Sequence, residues 1–246
     1  MLLEDLSSAT YQRIALRERF VVRQGEETMT DVLLLDLARA SLPLVSARKV
    51  ARLRESREGM DWEMWVRHDR RGWVRYAVQA KRHKANLKYA DVGHVVRGSS
   101  ERQIDLLARF CRLTGSVGTY CLYNSPGRTV RDSEWHCSRA RNDEHLGCSI
   151  VPLYVMQEVL RPHHAPSFAE IHQRPEVMPL RCLFCDHGGF WPGVDQKFHP
   201  PGEVRFHSQL PDALASGTDE DIAVTDVLYP LGFVPKMVLV IDLEGR

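Results

Sequence analysis

The chain of 246 residues contains no run of apolar residues that approaches the ~20 needed to span a bilayer as a helix. A secretory signal peptide is also missing, because Met1-Leu2-Leu3 is followed at once by the acidic Glu4 and Asp5. We therefore expect a cytoplasmic protein with no membrane partner, in which disulfides are rare. Internal repeats, low-complexity tracts and a glycine-rich phosphate loop are absent from the sequence too. We therefore expect a globular fold that is neither a repeat protein nor a P-loop nucleotide-binding protein.

An excess of charge of one sign is absent as well, since 33 Lys and Arg face 32 Asp and Glu and the net charge is +1. No overall basic field therefore indicates a nucleic-acid partner. The distribution is uneven, however: residues 48–57 and 67–88 are basic, whereas residues 209–226 are acidic. This asymmetry fits an anionic partner bound locally, although a solvated surface explains any single Arg better.

Hydrophobic residues make up 43% of the chain and charged residues 26%, as in a folded domain with insertions. Helical and strand patterns predict an α/β fold, a mixed β-sheet flanked by helices. The predicted elements are helices over 4–23, 26–40 and about 100–113, a strand over 44–54, a hairpin of 62–67 and 73–81, and strands over 117–123 and 237–243. We predict a core over 1–124, a loop-rich insertion with Cys and His over 125–235, and a C-terminal strand over 236–246 that returns to the core sheet.

The hairpin carries the residues that indicate chemistry. Side chains two apart on a strand share a face, so Gln79 and Lys81 point the same way, and Asp61 and Glu63 share a face on the preceding strand. Phosphodiester hydrolysis requires a divalent cation held by hard oxygen ligands. A cation such as Lys81 can orient the attacking water or stabilise the pentacovalent state. The hairpin is therefore a candidate site for metal-dependent phosphodiester hydrolysis.

These residues resemble the PD-(D/E)xK, or restriction-endonuclease-like, nuclease superfamily in its Q-x-K form. The superfamily core has a helix with a Glu, a strand with an Asp, and a strand with (D/E/Q)-x-K; one branch adds a Gln on a later helix. The resemblance implies a restriction-endonuclease-like core and a Mg²⁺- (or Mn²⁺-) dependent endonuclease acting on DNA, expected to be double-stranded. Two departures are that Gln79 replaces an acid and that Met60 stands where a Pro often precedes the Asp.

The resemblance implies a role for each matching residue. The implied set is Glu27 (or Glu26) as the helix acid, Asp61 as the central metal ligand, Gln79 as the ligand in the acidic slot, Lys81 as the catalytic lysine and Gln103 as the helix glutamine. Glu63 can supply the negative charge that Gln79 lacks. Gln103 has a second interpretation, because Ser100-x-x-Gln103 also matches a helix capping box.

Wider resemblances suggest a biological setting. Several bacterial anti-phage effector nucleases share a V-Q-x-K strand like Val78-Gln79-Ala80-Lys81, which implies a defence effector. Residues 20–190 also resemble a bacterial domain family that brings no known activity, through the runs D-W-E-x-W, V-Q-A-K-R, Q-I-D-L-L and Y-C-x-Y-N. The alternative function is a non-catalytic module that binds nucleic acid or protein through a degenerate nuclease fold. A homodimer is left open, since many such nucleases dimerise to cut both strands.

A second candidate site is a zinc-binding cysteine cluster. Cys182 and Cys185 form a C-x-x-C, the spacing with which two thiolates of one turn reach the same tetrahedral ion. Cys137 and Cys148 can complete a four-cysteine structural site, with His136, His145 and His187 as alternative ligands. The alternative is that these cysteines are buried small hydrophobes.

Overall fold

The structure is a computed structural model that describes residues 2–22, 24–40, 45–50, 60–68, 72–96, 100–125, 142–184, 205–215, 225 and 227–242. Its helices are α1 (Leu2–Phe20), α2 (Glu26–Arg39), α3 (Gln103–Thr114), α4 (Leu153–Val159), α5 (Phe168–His172) and α6 (Asp212–Ala215). Its strands are β1 (Val45–Lys49), β2 (Trp62–His68), β3 (Gly72–Arg82), β4 (Val117–Tyr123), β5 (Cys148–Pro152), β6 (Met178–Pro179), β7 (Phe206–His207) and β8 (Met237–Asp242). No helix within these ranges combines the length and the apolar character needed to cross a membrane.

The strands form one mixed sheet of eight strands, flanked by helices, which confirms the predicted α/β class. The chain forms two compact units, each built from three separate stretches. The first unit comprises Met1–Asp36, Ala80–Gly93 and Thr119–Pro200, and the second comprises Leu37–Gln79, His94–Gly118 and Pro201–Arg246. The division falls inside β3, between Gln79 and Ala80.

In the second unit the strand order is β1-β8-β2-β3, with β7 also paired to β3. β8 is antiparallel to β1 and parallel to β2, so the last described strand lies inside the sheet. β2 and β3 pair antiparallel, with Trp62 opposite Val78 and Trp65 opposite Arg75. Residues 73–82 of β3 are all buried, so both faces of this strand are covered. This explains why its sequence alternates only weakly between apolar and polar residues.

In the first unit, α1 packs against β5 and against a short 3-10 helix, Asp143–Gly147. Gly147 permits this approach, because a Cβ there would lie 2.0 Å from the Ser7 carbonyl oxygen and 2.8 Å from the Tyr11 nitrogen. β4 pairs antiparallel with β5, and β5 pairs antiparallel with β6. Both β5 and β6 belong to the 125–235 segment, which therefore adds strands to the sheet.

Candidate functional site

Asp61 lies immediately before β2 and its backbone is fixed on two sides. Its N–H donates to the Val78 carbonyl oxygen at 2.9 Å, and its carbonyl oxygen accepts from the Lys236 N–H at 3.0 Å. The Asp61 side chain is half-buried, and its Oδ2 accepts a hydrogen bond from Nε2 of the buried Gln79. Two of the predicted metal ligands are therefore in direct contact within the second unit.

The chemistry of this pair suits a hard divalent cation. An amide side chain offers both a donor and an acceptor, so Gln79 can hold the Asp61 carboxylate through Nε2 and present Oε1 as a neutral oxygen ligand. Mg²⁺ takes oxygen ligands and commonly keeps several waters, with only one or two carboxylates from the protein. Asp61 and Gln79 thus fit the metal that the sequence implies, with one negative charge fewer than a pair of acids.

Lys81 is held in the first unit by the beginning of α2. Its side chain is only 8% exposed, and Nζ lies 3.5 Å from Oε2 of Glu26. Oε1 of Glu26 accepts from the backbone N–H of Arg82 at 3.2 Å, so one carboxylate contacts two consecutive residues of β3. Glu26 is the first residue of α2, where the helix dipole favours a negative charge.

The sequence left two candidates for the helix acid, with Glu27 preferred. The structure brings Glu26, not Glu27, to Lys81. The Glu27 side chain is exposed to solvent, whereas that of Glu26 is 26% exposed. Adjacent residues of a helix point about 100° apart, so only one of the two can face β3. The contact with Lys81 therefore favours Glu26 of the two, and the metal-binding role of Glu27 stays a prediction.

Glu63 shares the face of Asp61 by strand alternation, but its carboxylate is engaged elsewhere. It is fully buried, its Oε2 lies 2.7 Å from Nη2 of Arg75, and its Oε1 accepts from Nε1 of Trp65. The guanidinium of Arg75 lies 4.8 Å from the ring centroid of Phe110 and 5.2 Å from that of Tyr229. Both carboxylate oxygens thus accept hydrogen bonds from buried side chains, and the negative charge is balanced by Arg75. We therefore do not retain Glu63 as a metal ligand.

Gln103 is the first residue of α3, and the predicted capping box is wrong. The residue at the N-cap position is Arg102, whose side chain makes no capping hydrogen bond, so Ser100 does not cap this helix. The Gln103 side chain is buried, and its Oε1 has no hydrogen-bond partner among the described residues. Buried amide oxygens are normally hydrogen-bonded, so this one is suited to a water or a ligand donor.

A polar network in the first unit was not predicted from the sequence. Nδ2 of the buried Asn124 donates to the Leu146 carbonyl at 2.7 Å and to Oγ of Ser149 at 3.0 Å, while its Oδ1 accepts from the Tyr89 hydroxyl. Nε2 of His172 lies 2.9 Å from Oγ of Ser149. The members are far apart in the chain and form no motif, so only the three-dimensional structure identifies them.

His83 lies beside this network at the end of β3, with its ring centroid 6.3 Å from that of Tyr89. Its Nδ1 donates to the Lys84 carbonyl at 2.8 Å, and its Nε2 accepts from the backbone N–H of Ser125 at 2.8 Å. Since a carbonyl oxygen can only accept, these contacts define the neutral tautomer. The ring is fully buried, and its two hydrogen bonds hold the chain in place at His83, two residues after Lys81.

The zinc prediction falls partly outside the described residues, because Cys137, Cys185, His136 and His187 are not among them. Cys148 and Cys182 are both buried. A hydrogen bond with Cys121, more than those with Thr10 and Ser7, lowers the pKa of the Cys148 thiol. Within the described part of the chain, no three His, Cys, Asp or Glu side chains form a group that could hold a metal. The zinc site stays a prediction.

Comparison with known proteins places the chain in a family. No curated protein and no solved structure matches it. A family model does match, and the match runs over residues 1–221 of the 246. It thus includes Asp61, Gln79 and Lys81 and most of the chain. The protein belongs to the family of unknown function DUF6615.

Proposed function

We propose that this protein is a metal-dependent nuclease that hydrolyses phosphodiester bonds of DNA. The observation that carries the proposal is that each unit pairs a predicted strand residue with a carboxylate: Gln79 with Asp61 in the second unit, and Lys81 with Glu26, the alternative to Glu27, in the first. Ordinary sheets bury a lysine only when it has a counterion, and here the lysine stands two residues from a carboxylate-bound amide. We further propose that it acts in the cytoplasm, as a bacterial effector against phage.

Asp61 and Gln79 would hold the metal, Mg²⁺ or Mn²⁺. Such an ion supplies a water of lowered pKa and neutralises charge that develops on the phosphate. The Asp61 backbone is fixed by Val78 and Lys236, so its carboxylate is presented from a rigid position. Preorganised groups of this kind need no rearrangement during the reaction, whereas water molecules must reorient to stabilise the developing charge.

Lys81 would act on the phosphate or on the attacking water. The Lys81 ammonium has three N–H donors. One can point to the Glu26 carboxylate, and another to a non-bridging oxygen of the phosphate or to the attacking water. Burial removes competing solvent and strengthens both interactions. Glu26 is then a positioning residue, because it contacts Lys81 and the Arg82 backbone and not the substrate.

The proposal is tested by incubating plasmid DNA with the protein and Mg²⁺ or Mn²⁺. We expect the wild-type protein to nick or linearise the plasmid, and Asp61→Asn and Lys81→Met to reduce the rate by at least ~100-fold. Asp31→Asn is the matched control, since it removes an exposed carboxylate of α2 and should cleave like wild type. Equal cleavage by all four proteins, or none with either metal, would contradict the proposal.

Metal binding separates the nuclease from a degenerate fold that only binds. A nuclease should bind Mn²⁺ measurably by electron paramagnetic resonance, and Asp61→Asn should weaken that binding whereas Asp31→Asn should not. DNA binding without metal binding or cleavage would favour the non-catalytic alternative.

A further inference from the structure

Two loops of the first unit run side by side after the strand that carries Lys81. The first covers residues 84–89 and the second residues 161–168. The Tyr89 N–H donates to the Pro166 carbonyl at 2.9 Å, and the Phe168 N–H donates to the Leu87 carbonyl at 2.7 Å. Lys88 and Ser167 form an antiparallel bridge between these bonds. We call residues 84–89 and 161–168 together the paired-loop surface.

Both loops are tightly turned. Within the first loop, the Lys84 N–H donates to the Lys88 carbonyl and the Leu87 N–H to the Lys84 carbonyl, each at 2.9 Å. Leu87 has a φ of 58° and His163 a φ of 59°, in the left-handed region that L residues other than Asn and Asp rarely adopt. Such backbone conformations cost of order 1–3 kcal/mol and are concentrated at ligand-binding sites.

The paired-loop surface presents positive charge that the neighbouring carboxylates Asp91 and Glu170 do not neutralise. Asp91 pairs with Lys84, and Glu170 pairs with His164 while also capping α5. The side chains of Lys88 and Arg161 are exposed, and neither makes a salt bridge within the described part of the chain. A fixed backbone with unpaired cations on both loops is suited to a polyanion.

We propose that the paired-loop surface binds the phosphate backbone of duplex DNA through Lys88 and Arg161. The identity of the polyanion rests on the proposed nuclease function. Lys88 follows Lys81 by seven residues, so the two Cα atoms lie within about 25 Å of each other. That span corresponds to roughly seven base pairs, so a longer duplex has the length to extend from one to the other. The surface would hold the strand beside the cleavage site without reading its sequence.

The test measures binding of a 20-base-pair fluorescent duplex to the full chain in EDTA, where no divalent metal supports cleavage. The variant Lys88→Gln/Arg161→Gln removes two exposed cations, and Arg19→Gln/Arg112→Gln removes two others as the matched control. Fluorescence anisotropy is recorded over a series of salt concentrations. Circular dichroism establishes that each variant is folded, as expected for changes to exposed side chains.

We expect wild type to bind with a steep salt dependence. The Lys88→Gln/Arg161→Gln variant should bind at least tenfold more weakly at low salt, and its slope of log K against log salt should be smaller by about two. Lys88→Gln alone should reduce the slope by about one, and the control pair should bind within twofold of wild type. Equal weakening by the control pair, or no binding by wild type, overturns the proposal.

These outcomes are independent of the cleavage assay. If binding depends on Lys88 and Arg161 but the protein never cleaves DNA, the DNA-binding surface is supported and the nuclease proposal is rejected. If the protein cleaves DNA but its binding is insensitive to both residues, the nuclease proposal is supported and the DNA-binding surface is rejected.

Discussion

The Lys81 ammonium depends on a single described carboxylate, that of Glu26. Its neighbour Glu27 is exposed and has the same chemistry, so the two residues form a natural matched pair. We expect Glu26→Gln to lower the cleavage rate about 10–100-fold, as loss of a group that orients a catalytic residue commonly does. Glu27→Gln should stay within twofold of wild type. Initial rates on plasmid DNA at saturating Mg²⁺ provide the measurement.

Rescue by a conservative variant distinguishes positioning of Lys81 from simple loss of stability. Glu26→Gln should stay slow after the rate is normalised to the folded fraction, whereas Glu26→Asp, which keeps the carboxylate, should recover part of the rate. A merely structural role would reduce the rate only in proportion to the folded fraction. Equal losses in Glu26→Gln and Glu27→Gln would argue against the assignment of Glu26.

At the residue scale, strand alternation was sufficient for some assignments and not for others. Gln79 and Lys81 share a side of β3 because they are two residues apart on one strand, which the sequence shows. The choice between Glu26 and Glu27 depends on the rotation of α2 about its axis, which packing sets. The engagement of Glu63 by Arg75 depends on which residue lies across the hairpin, and no local pattern identifies that partner.

At the element scale, the ion pair of Glu63 with Arg75 joins β2 to β3 inside the core. The side chains are 0% and 3% exposed. Breaking a buried pair leaves an uncompensated charge, so Glu63→Gln should lower the free energy of unfolding by about 3–5 kcal/mol. Glu63→Gln/Arg75→Met removes both charges and should cost less than the two single changes combined. Urea unfolding of the four proteins gives the coupling.

The same variants test whether Glu63 belongs to the metal site. The Mn²⁺ affinity of folded Glu63→Gln should equal that of wild type, because both carboxylate oxygens already accept from Arg75 and Trp65. Exact additivity of the two single changes would contradict the ion pair. A loss of metal affinity like that of Asp61→Asn would return Glu63 to the ligand set.

Which elements could be predicted follows from the range of the interactions that form them. α1 and α2 and the hairpin of β2 and β3 depend on periodicity and a short turn, and their observed ends lie close to the predicted ones. In the segment predicted to be rich in loops, the pattern of residues 149–161 indicates a strand or a short helix, and β5 and α4 lie there. The two residues of β6 were not predicted, because their strand character comes from pairing with β5 across many residues of chain, which local patterns do not encode.

At the scale of the whole molecule, the α/β class could be predicted but the two compact units could not. Each unit combines three stretches that are distant in the chain, so contiguous composition shifts do not mark the boundary. The return of β8 to a place between β1 and β2 is one example, because it joins the end of the described chain to an early strand. The net charge of +1 gives no sign of a basic surface, whereas the local distribution does, since the basic stretch 67–88 contains Lys88.

The stability of the molecule should depend on pH through His172. Burial lowers the pKa of this histidine to about 3 from its usual 6.5, despite the hydrogen bond to the Phe168 carbonyl. Between these values the unfolded chain binds one more proton than the folded chain. The free energy of unfolding therefore falls as pH falls through this window, by at most about 1.4 kcal/mol per pH unit from this group. Below the folded pKa the effect levels off.

Substitution isolates this contribution from that of the carboxylates that titrate in the same range. His172→Gln removes the buried ring, so its free energy of unfolding should decline less steeply between pH 6 and pH 4 than that of wild type. The comparison concerns the slope, because the substitution also disturbs the bonds to Ser149 and Phe168 and lowers stability at every pH. His163→Gln is the control for the substitution itself, since that ring is exposed and lies outside the bonds to Ser149 and Phe168. Urea unfolding across the range measures all three proteins, and parallel curves for wild type and His172→Gln would show that the buried histidine does not limit stability in acid.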